Sequence, residues 1–304
     1  AAKYGHEDIV KQLLKRNKRF ASDTNSYGRT ALMMAAKYGH EDIVKQLLET
    51  NKTLASATDH RGYTALMLAA KYEHEDVVKQ LLETNQSLPS AKDCYGFTAL
   101  MMAAQYGNED IVKQLLETNK TLASATDHRG YTALILAAKN GYEDIVKQLL
   151  ETNKTLASAT DHRGYTALIL AAKHGHEDVV KQLLETNKTL ASATDHRGYT
   201  ALMLAAKYEH EDVVKQLLET NQSLKSAKDS YGFTALMMAA QYGNEDIVKQ
   251  LLETNKTLAS ATDPLGYTAL MMAAKYGHED IVKQLLETNK TLASATDHRG
   301  YTAL

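Results

Sequence analysis

The residues best equipped for chemistry are His-Glu-Asp runs, at His40, His74, His176, His210 and His278. An imidazole beside carboxylates is a donor set for a metal ion or for general acid–base catalysis. The spacing supports neither. No run places two histidines four apart on one helix face, the arrangement that would grip a metal. Adjacent acids such as Glu75 and Asp76 point in different directions on a helix and cannot work as a matched acid and base. They read instead as first-turn acids on a solvated helix. Cys94 is the single cysteine, and its counterpart in a near-identical later segment is Ser230. There is no phosphate-cradling loop and no G-x-S-x-G nucleophile elbow. The remaining chemical motif is N-x-[ST], at Asn51, Asn85, Asn119, Asn153, Asn187, Asn221, Asn255 and Asn289. These asparagines are glycan acceptors if the chain is secreted, and each also stands where a helix must end. The sequence thus predicts a non-enzymatic protein with no catalytic residues, no cofactor and no metal site.

Composition bounds the class. The chain has 304 residues, 24% charged and 44% apolar, with a formal net charge of −2. Near-neutral charge argues against nucleic acid and against anionic membranes as partners. No apolar run approaches the roughly 18 residues that a membrane span requires. One cysteine permits no intrachain disulfide and fits a reducing compartment. The expected location is cytoplasmic, and the alternative is a secreted chain glycosylated at the Asn-x-Ser/Thr sites.

What positions these residues is a repeat. A Thr-Ala-Leu tripeptide recurs at Thr30, Thr64, Thr98, Thr132, Thr166, Thr200, Thr234, Thr268 and Thr302, each 34 residues after the last. The units run 25–58, 59–92, 93–126, 127–160, 161–194, 195–228, 229–262 and 263–296, with partial units 1–24 and 297–304, so that 1–304 reads as a single array. A second period lies on top: Asp59–Thr126 matches Asp195–Thr262 except for Pro89 against Lys225 and Cys94 against Ser230. Ala1 aligns with Ala35 and Leu304 with Leu32, so the register predicts a window from a longer array, continued covalently or by end-to-end self-association.

Within the unit that starts at Asp59, the pattern predicts helices near 64–72 and 75–84 and no substantial sheet. Thr64 is placed to cap the first helix with its hydroxyl, and TALMLAAKY is rich in strong helix formers. Gly39, Gly107 and Gly277 stand where a left-handed residue ends that helix. Val77, Val78, Leu81 and Leu82 give the second helix an apolar stripe. Asn85 follows, a residue that tolerates the left-handed conformation. Asp and Gly at turn spacing then predict a protruding, hairpin-like finger. Helices this short are marginal alone, so stacking must bury Ala65, Leu66, Ala69, Ala70, Leu81 and Leu82.

These residues resemble the ankyrin repeat. The family pattern D-x-x-G-x-T-P-L-H-x-A-A, then G-H, I-V and L-L, maps onto Asp127, Gly130, Thr132, Leu134, Ala137, Ala138, Gly141, Ile145, Val146, Leu149 and Leu150. The period also equals that of tetratricopeptide repeats, but tryptophan is absent and the D-x-x-G turn favours ankyrin. The resemblance implies an all-α, ankyrin-type helix-turn-helix solenoid with finger-like turns. It also makes the His-Glu-Asp histidine a structural loop residue. Three departures stand out. T-P-L-H is here T-A-L-M or T-A-L-I, so Met67 or Ile135 substitutes packing for polar contacts. The unit is about one residue longer than the usual 33, an excess placed in N-K-T-L-A-S-A-T. Glu73 and Glu209 replace a glycine, at a cost on the order of 1 kcal/mol if left-handed.

In ankyrin arrays the fingers and the exposed side of the first helices commonly contact partners. Mapped here, that concave face carries His60, Arg61, Tyr63, Lys71 and Tyr72, then Arg129, Tyr131 and Lys139, Arg163, Tyr165 and Lys173, and Arg197, Tyr199 and Lys207. Arginine and tyrosine are favoured interface residues. The unit containing Cys94 instead presents Tyr95, Phe97 and Tyr106, without a positive charge. The expected function is a non-enzymatic protein-binding scaffold, whose partner is acidic or itself repetitive. The alternative is a structural repeat protein that forms or decorates a filament or cytoskeletal assembly.

Overall fold

The computed structural model describes residues 1–85 and 87–304. Among them are 17 α-helices and no strand. The backbone pairs in sheet fashion only at isolated antiparallel bridges, such as Thr160 with Thr166 and Thr194 with Thr200. The chain divides into two compact bodies, residues 1–137 with 144–156, and residues 138–143 with 157–304. Each is an all-helical repeat solenoid.

A first helix such as Ala65–Lys71 begins where Thr64 Oγ1 accepts a hydrogen bond from the Met67 amide at 3.2 Å. It is buried on every side, since Ala65 through Ala70 are all inaccessible. Such a helix survives only with neighbours on both flanks. It packs side by side with Ala31–Lys37 and Ala99–Tyr106 in the first body. In the second body Ala167–His174, Ala201–Lys207, Ala235–Tyr242 and Ala269–Tyr276 stack in the same way. The paired alanines, Ala69 with Ala70 and Ala205 with Ala206, add no bulk where these backbones approach. Met67 and Ile135, in place of the family's histidine, are fully buried.

The second helices are amphipathic. In Glu75–Thr84, Val77, Val78 and Leu81 are buried while Glu75, Asp76 and Lys79 are exposed. Leu82 is half-buried, whereas its counterparts Leu116 and Leu218 are buried. The asparagine after each second helix does not enter the left-handed region. Asn85 has φ −157° and ψ 115°. It turns the chain into an extended step, and its Oδ1 accepts from the Ser87 amide and hydroxyl, both at 2.9 Å. The same clasp joins Asn119 to Thr121 and Asn187 to Thr189. A 3-10 turn follows, Lys52–Ser56 in one repeat and Lys188–Ser192 in another, and it occupies the stretch to which the longer period was assigned.

One joint couples neighbouring repeats. Gly39 ends its helix region at φ 73°, and a Cβ there would meet His74 Nδ1 at 2.6 Å. The imidazole lies on that bare backbone and its Nε2 reaches the Lys37 carbonyl at 3.0 Å. Gly175 and His210 repeat this, with Nε2 at 3.0 Å from the Lys173 carbonyl. Glu73 and Glu209 occupy the glycine position at φ 63° and 64°. The repeats that follow them carry Asn108 and Asn244 instead of histidine. The shorter amides donate to the Ala70 and Ala206 carbonyls at 2.6 Å. A Cβ built at the glycine would crowd the imidazole, and both glutamates face an asparagine.

Two outcomes are expected. Leu217→Ala, at a fully buried position, should destabilise the second body by roughly 2–5 kcal/mol. Hydrogen exchange should quicken most in 177–186 and 245–254, the second helices packed against Glu211–Thr220, because solenoid stability is a nearest-neighbour quantity. Gly175→Glu should destabilise more alone than in a His210→Asn background. Denaturation midpoints of the four variants should yield a coupling energy of about 0.5–3 kcal/mol.

Candidate functional site

Each finger turns on one aspartate. Asp59 is 6% exposed. Its Oδ1 accepts from the Arg61 amide at 2.9 Å and the Tyr63 amide at 3.0 Å. The Asp59 amide donates to the Tyr63 carbonyl at 3.0 Å, and Gly62, at φ 80°, donates to the Asp59 carbonyl at 2.9 Å. This holds the tip outward and feeds the chain into the Thr64 cap. Successive fingers are joined through the backbone. In the first body the His60 amide donates to the Tyr27 carbonyl at 3.1 Å and the Cys94 amide to Arg61 at 2.9 Å. In the second body His196 donates to Arg163 at 3.0 Å and Ser230 to Arg197 at 2.9 Å.

This frame places the residues singled out by sequence. Arg61, Arg129, Arg163, Arg197 and Tyr95 are exposed at finger tips, and Tyr72 and Tyr106 are exposed at the ends of first helices. Tyr63, Phe97, Tyr131, Tyr165 and Tyr199 are half-buried, and so are Lys71, Lys139, Lys173 and Lys207. His60 is exposed, yet its ring rests on Gly28, where a Cβ would lie 2.5 Å from Cδ2. It therefore spaces the fingers as well as facing solvent.

The lysines and tyrosines at the ends of the first helices interleave. Lys37 Nζ lies 5.2 Å from the Tyr38 ring centre and 5.1 Å from that of Tyr72 in the next repeat. Lys71 lies 5.7 Å from Tyr72 and 4.9 Å from Tyr106. In the second body Lys173 is 5.7 Å from Tyr208, and Lys207 is 5.5 Å from Tyr208 and 4.8 Å from Tyr242. Each ammonium stands over the electron-rich faces of two rings, a favourable cation–π arrangement. Sequence reasoning misses Lys37, Tyr38 and Tyr208 as parts of this ladder. The signal for them is the adjacent Lys-Tyr pair recurring at the repeat period.

The environment shifts several of these groups. Burial, foremost, pushes the Tyr63, Tyr165 and Tyr199 phenols up, and the aspartate of the following repeat pushes in the same direction. Burial alone would lower Lys71 and Lys207, but hydrogen bonds to Tyr106 and Tyr242 leave both raised. At the first turns of the second helices, partial desolvation raises Glu75, and so does repulsion from Asp110, Asp76 and Glu73. One edge of the repeats is thus acidic, while the finger tips are basic or aromatic. Among the described residues, no group of three or more His, Cys, Asp or Glu is placed to hold a metal ion. No helix is long and apolar enough to cross a membrane.

The tyrosine shifts carry a sign. A phenol held above its free value stabilises the fold below about pH 10, and that contribution is lost as pH rises through the folded value. The midpoint of chemical denaturation should therefore fall on passing from pH 9 to 11. Tyr165→Phe should flatten the fall. A pH profile unchanged by that substitution would overturn the assignment.

No curated protein sequence matches this chain. The family model for Ankyrin repeats (3 copies) matches residues 1–57, 51–124, 118–192, 187–260 and 254–304. Those matches run from one end of the chain to the other, over the same buried alanines, capping threonines and Asp-x-x-Gly fingers that build both bodies. The chain belongs to the ankyrin-repeat family.

Proposed function

We propose that this chain is a non-enzymatic protein-binding scaffold and that it binds through the face shared by its fingers and first helices. Ankyrin repeats are generally protein-interaction scaffolds, which supports the coarse reading. The finer reading rests on one observation, the Lys–Tyr ladder flanked by exposed arginines. Half-buried lysines fixed between rings are pre-ordered, so a partner does not have to immobilise them on binding. Arg61, Arg129, Arg163 and Arg197 stand free at the tips. Arg61 and Arg129 in the first body, and Arg163 and Arg197 in the second, present positive charge on each body's own backbone, a surface suited to a carboxylate-rich protein segment. The fingers and the ends of the first helices supply recognition, and the buried stacking beneath them supplies rigidity.

The test is binding of a glutamate-rich peptide to the whole chain, at low salt and at about 0.15 M. Replacing the four arginines with alanine should weaken binding roughly tenfold, since exposed ion pairs contribute about 0.2–1 kcal/mol each. The salt dependence should flatten in the same variant. Unchanged affinity would reject this face as the binding surface.

A further inference from the structure

The two repeats that begin at Asp93 and Asp229 break the basic pattern in a concerted way. At the second residue after the aspartate, where Arg61, Arg129, Arg163 and Arg197 stand in their fingers, they carry Tyr95 and Tyr231, as the finger at Asn25 carries Tyr27 and that at Asp263 carries Leu265. Two positions later Tyr63 or Tyr199 gives way to Phe97 and Phe233. At the end of the first helix the ladder lysine becomes Gln105 and Gln241. Two cationic positions of each repeat are thus emptied of charge, around a carboxylate that is retained.

That carboxylate is unusual in its bonding. Asp229 Oδ1 accepts from the Tyr231 amide at 2.9 Å and the Phe233 amide at 2.8 Å, as in every finger. Its Oδ2 is buried and has no partner, and the same holds for Asp93 Oδ2. In other fingers the carboxylate has a further donor. Asp59 Oδ2 accepts from Arg29 Nε at 3.0 Å, and Asp195 is hydrogen-bonded by the Tyr165 side chain. A buried carboxylate oxygen without a donor is costly. Asp229, 7% exposed, lines a depression of about 200 Å³. Tyr199, Lys207, Tyr231, Phe233, Met238, Gln241 and Tyr242 line it with the aspartate.

We propose that this depression, and the matching residues around Asp93, receive an arginine side chain from a protein partner, the Tyr199 or Tyr63 ring turning aside so that the guanidinium donates to the buried, unpartnered carboxylate oxygen. The proposal rests on the scaffold reading above and names a second kind of contact on the same face. The chain itself holds the precedent. Arg29 occupies the place that Tyr63 and Tyr199 take in later repeats, and there a guanidinium meets the Asp59 Oδ2 beside the Tyr27 ring, 5.9 Å away. A planar guanidinium also stacks on the aromatic walls and bonds a carboxylate from a fixed fork. Lys207 works in favour of arginine over lysine. Its ammonium opposes a second compact point charge more strongly than a delocalised, weakly hydrated one.

The experiment uses the whole chain carrying methyl-labelled methionine. The probes are three short peptides, identical except for a central arginine, lysine or citrulline. The arginine peptide should shift the Met102 and Met238 methyl signals saturably, with the lysine and citrulline peptides at least about tenfold weaker. Asp93→Asn with Asp229→Asn should abolish those shifts. Asparagine preserves the finger, because Asn25 already accepts from the Tyr27 and Arg29 amides at 2.9 and 3.0 Å. Lys71→Gln with Lys207→Gln should tighten the arginine peptide severalfold, since glutamine is the array's own choice at Gln105 and Gln241. Shifts that survive the asparagine pair, or weaker binding in the glutamine pair, would overturn the proposal. Glutamate-peptide binding by the asparagine pair is measured alongside. Its retention while the Met238 shift disappears supports this site, and its loss in the arginine variant concerns the finger tips alone.

Discussion

Each finger folds back on a single carboxylate oxygen, which accepts two backbone amides two and four residues ahead. Remove that acceptor and those part-buried amides lose their partner, at a cost below the roughly 1–3 kcal/mol of a fully buried donor. Much else follows from the turn it makes. With the chain reversed at Asp59, the amide of His60 is left pointing at the preceding finger and bonds the Tyr27 carbonyl. The same reversal delivers Thr64 to the head of its helix as a cap. Finger, inter-repeat link and helix start are therefore set by one side chain. That is why aspartate, or asparagine at Asn25, stands at the start of each finger while the residues between vary.

Stacking imposes a second constraint, because the repeats touch through backbone as well as through leucines. The bare glycine that supports the next imidazole shows how little room the joint allows. A glutamate at Glu73 is accommodated by shortening the facing residue to Asn108, and Glu209 pairs with Asn244 in the same manner. Each glutamate still holds a left-handed backbone, at a cost of order 1 kcal/mol. The order of repeats is consequently not arbitrary. A repeat bearing glutamate at this joint fits a successor bearing asparagine, and a histidine successor would collide with the added Cβ.

The fold was legible in the sequence because its causes are local and repeated. Helix bounds around Thr64 and Glu75, the threonine cap, the glycine stop and the left-handed glutamates all follow from residue type and spacing. Asn85 was read less well. Its type suits both a left-handed stop and a capping acceptor, and only the hydroxyl two residues on, at Ser87 or Thr121, decides for the second. Much of the candidate surface was legible as exposed positions, but its internal bonding was not. Lys37 meets Tyr72 only because stacking brings residues 35 apart in sequence within 5.1 Å. The partner of the second aspartate oxygen depends on the preceding repeat, so Asp59, Asp195 and Asp229 look alike in sequence and differ in bonding.

That difference explains how nearly identical repeats can serve unlike contacts. The scaffold requires only Oδ1 of each finger aspartate, leaving Oδ2 free to vary at no cost to the turn. Where the preceding repeat supplies Arg29 or Tyr165, the carboxylate is absorbed into the framework, and the finger displays whatever its tip carries. Where it supplies Tyr63 or Tyr199 without a bond, the carboxylate keeps a buried oxygen without a partner, at Asp229 beside an aromatic hollow. The neighbouring substitutions of tyrosine for arginine and glutamine for lysine then matter doubly. They remove two cations from the repeat, leaving Lys207 of the preceding one beside the hollow, and Tyr231 adds flat surface on which a planar cation can lie. Charge and shape change together at those two repeats, so a basic, rigid ladder is interrupted by a step of opposite preference without any alteration of the helices beneath it.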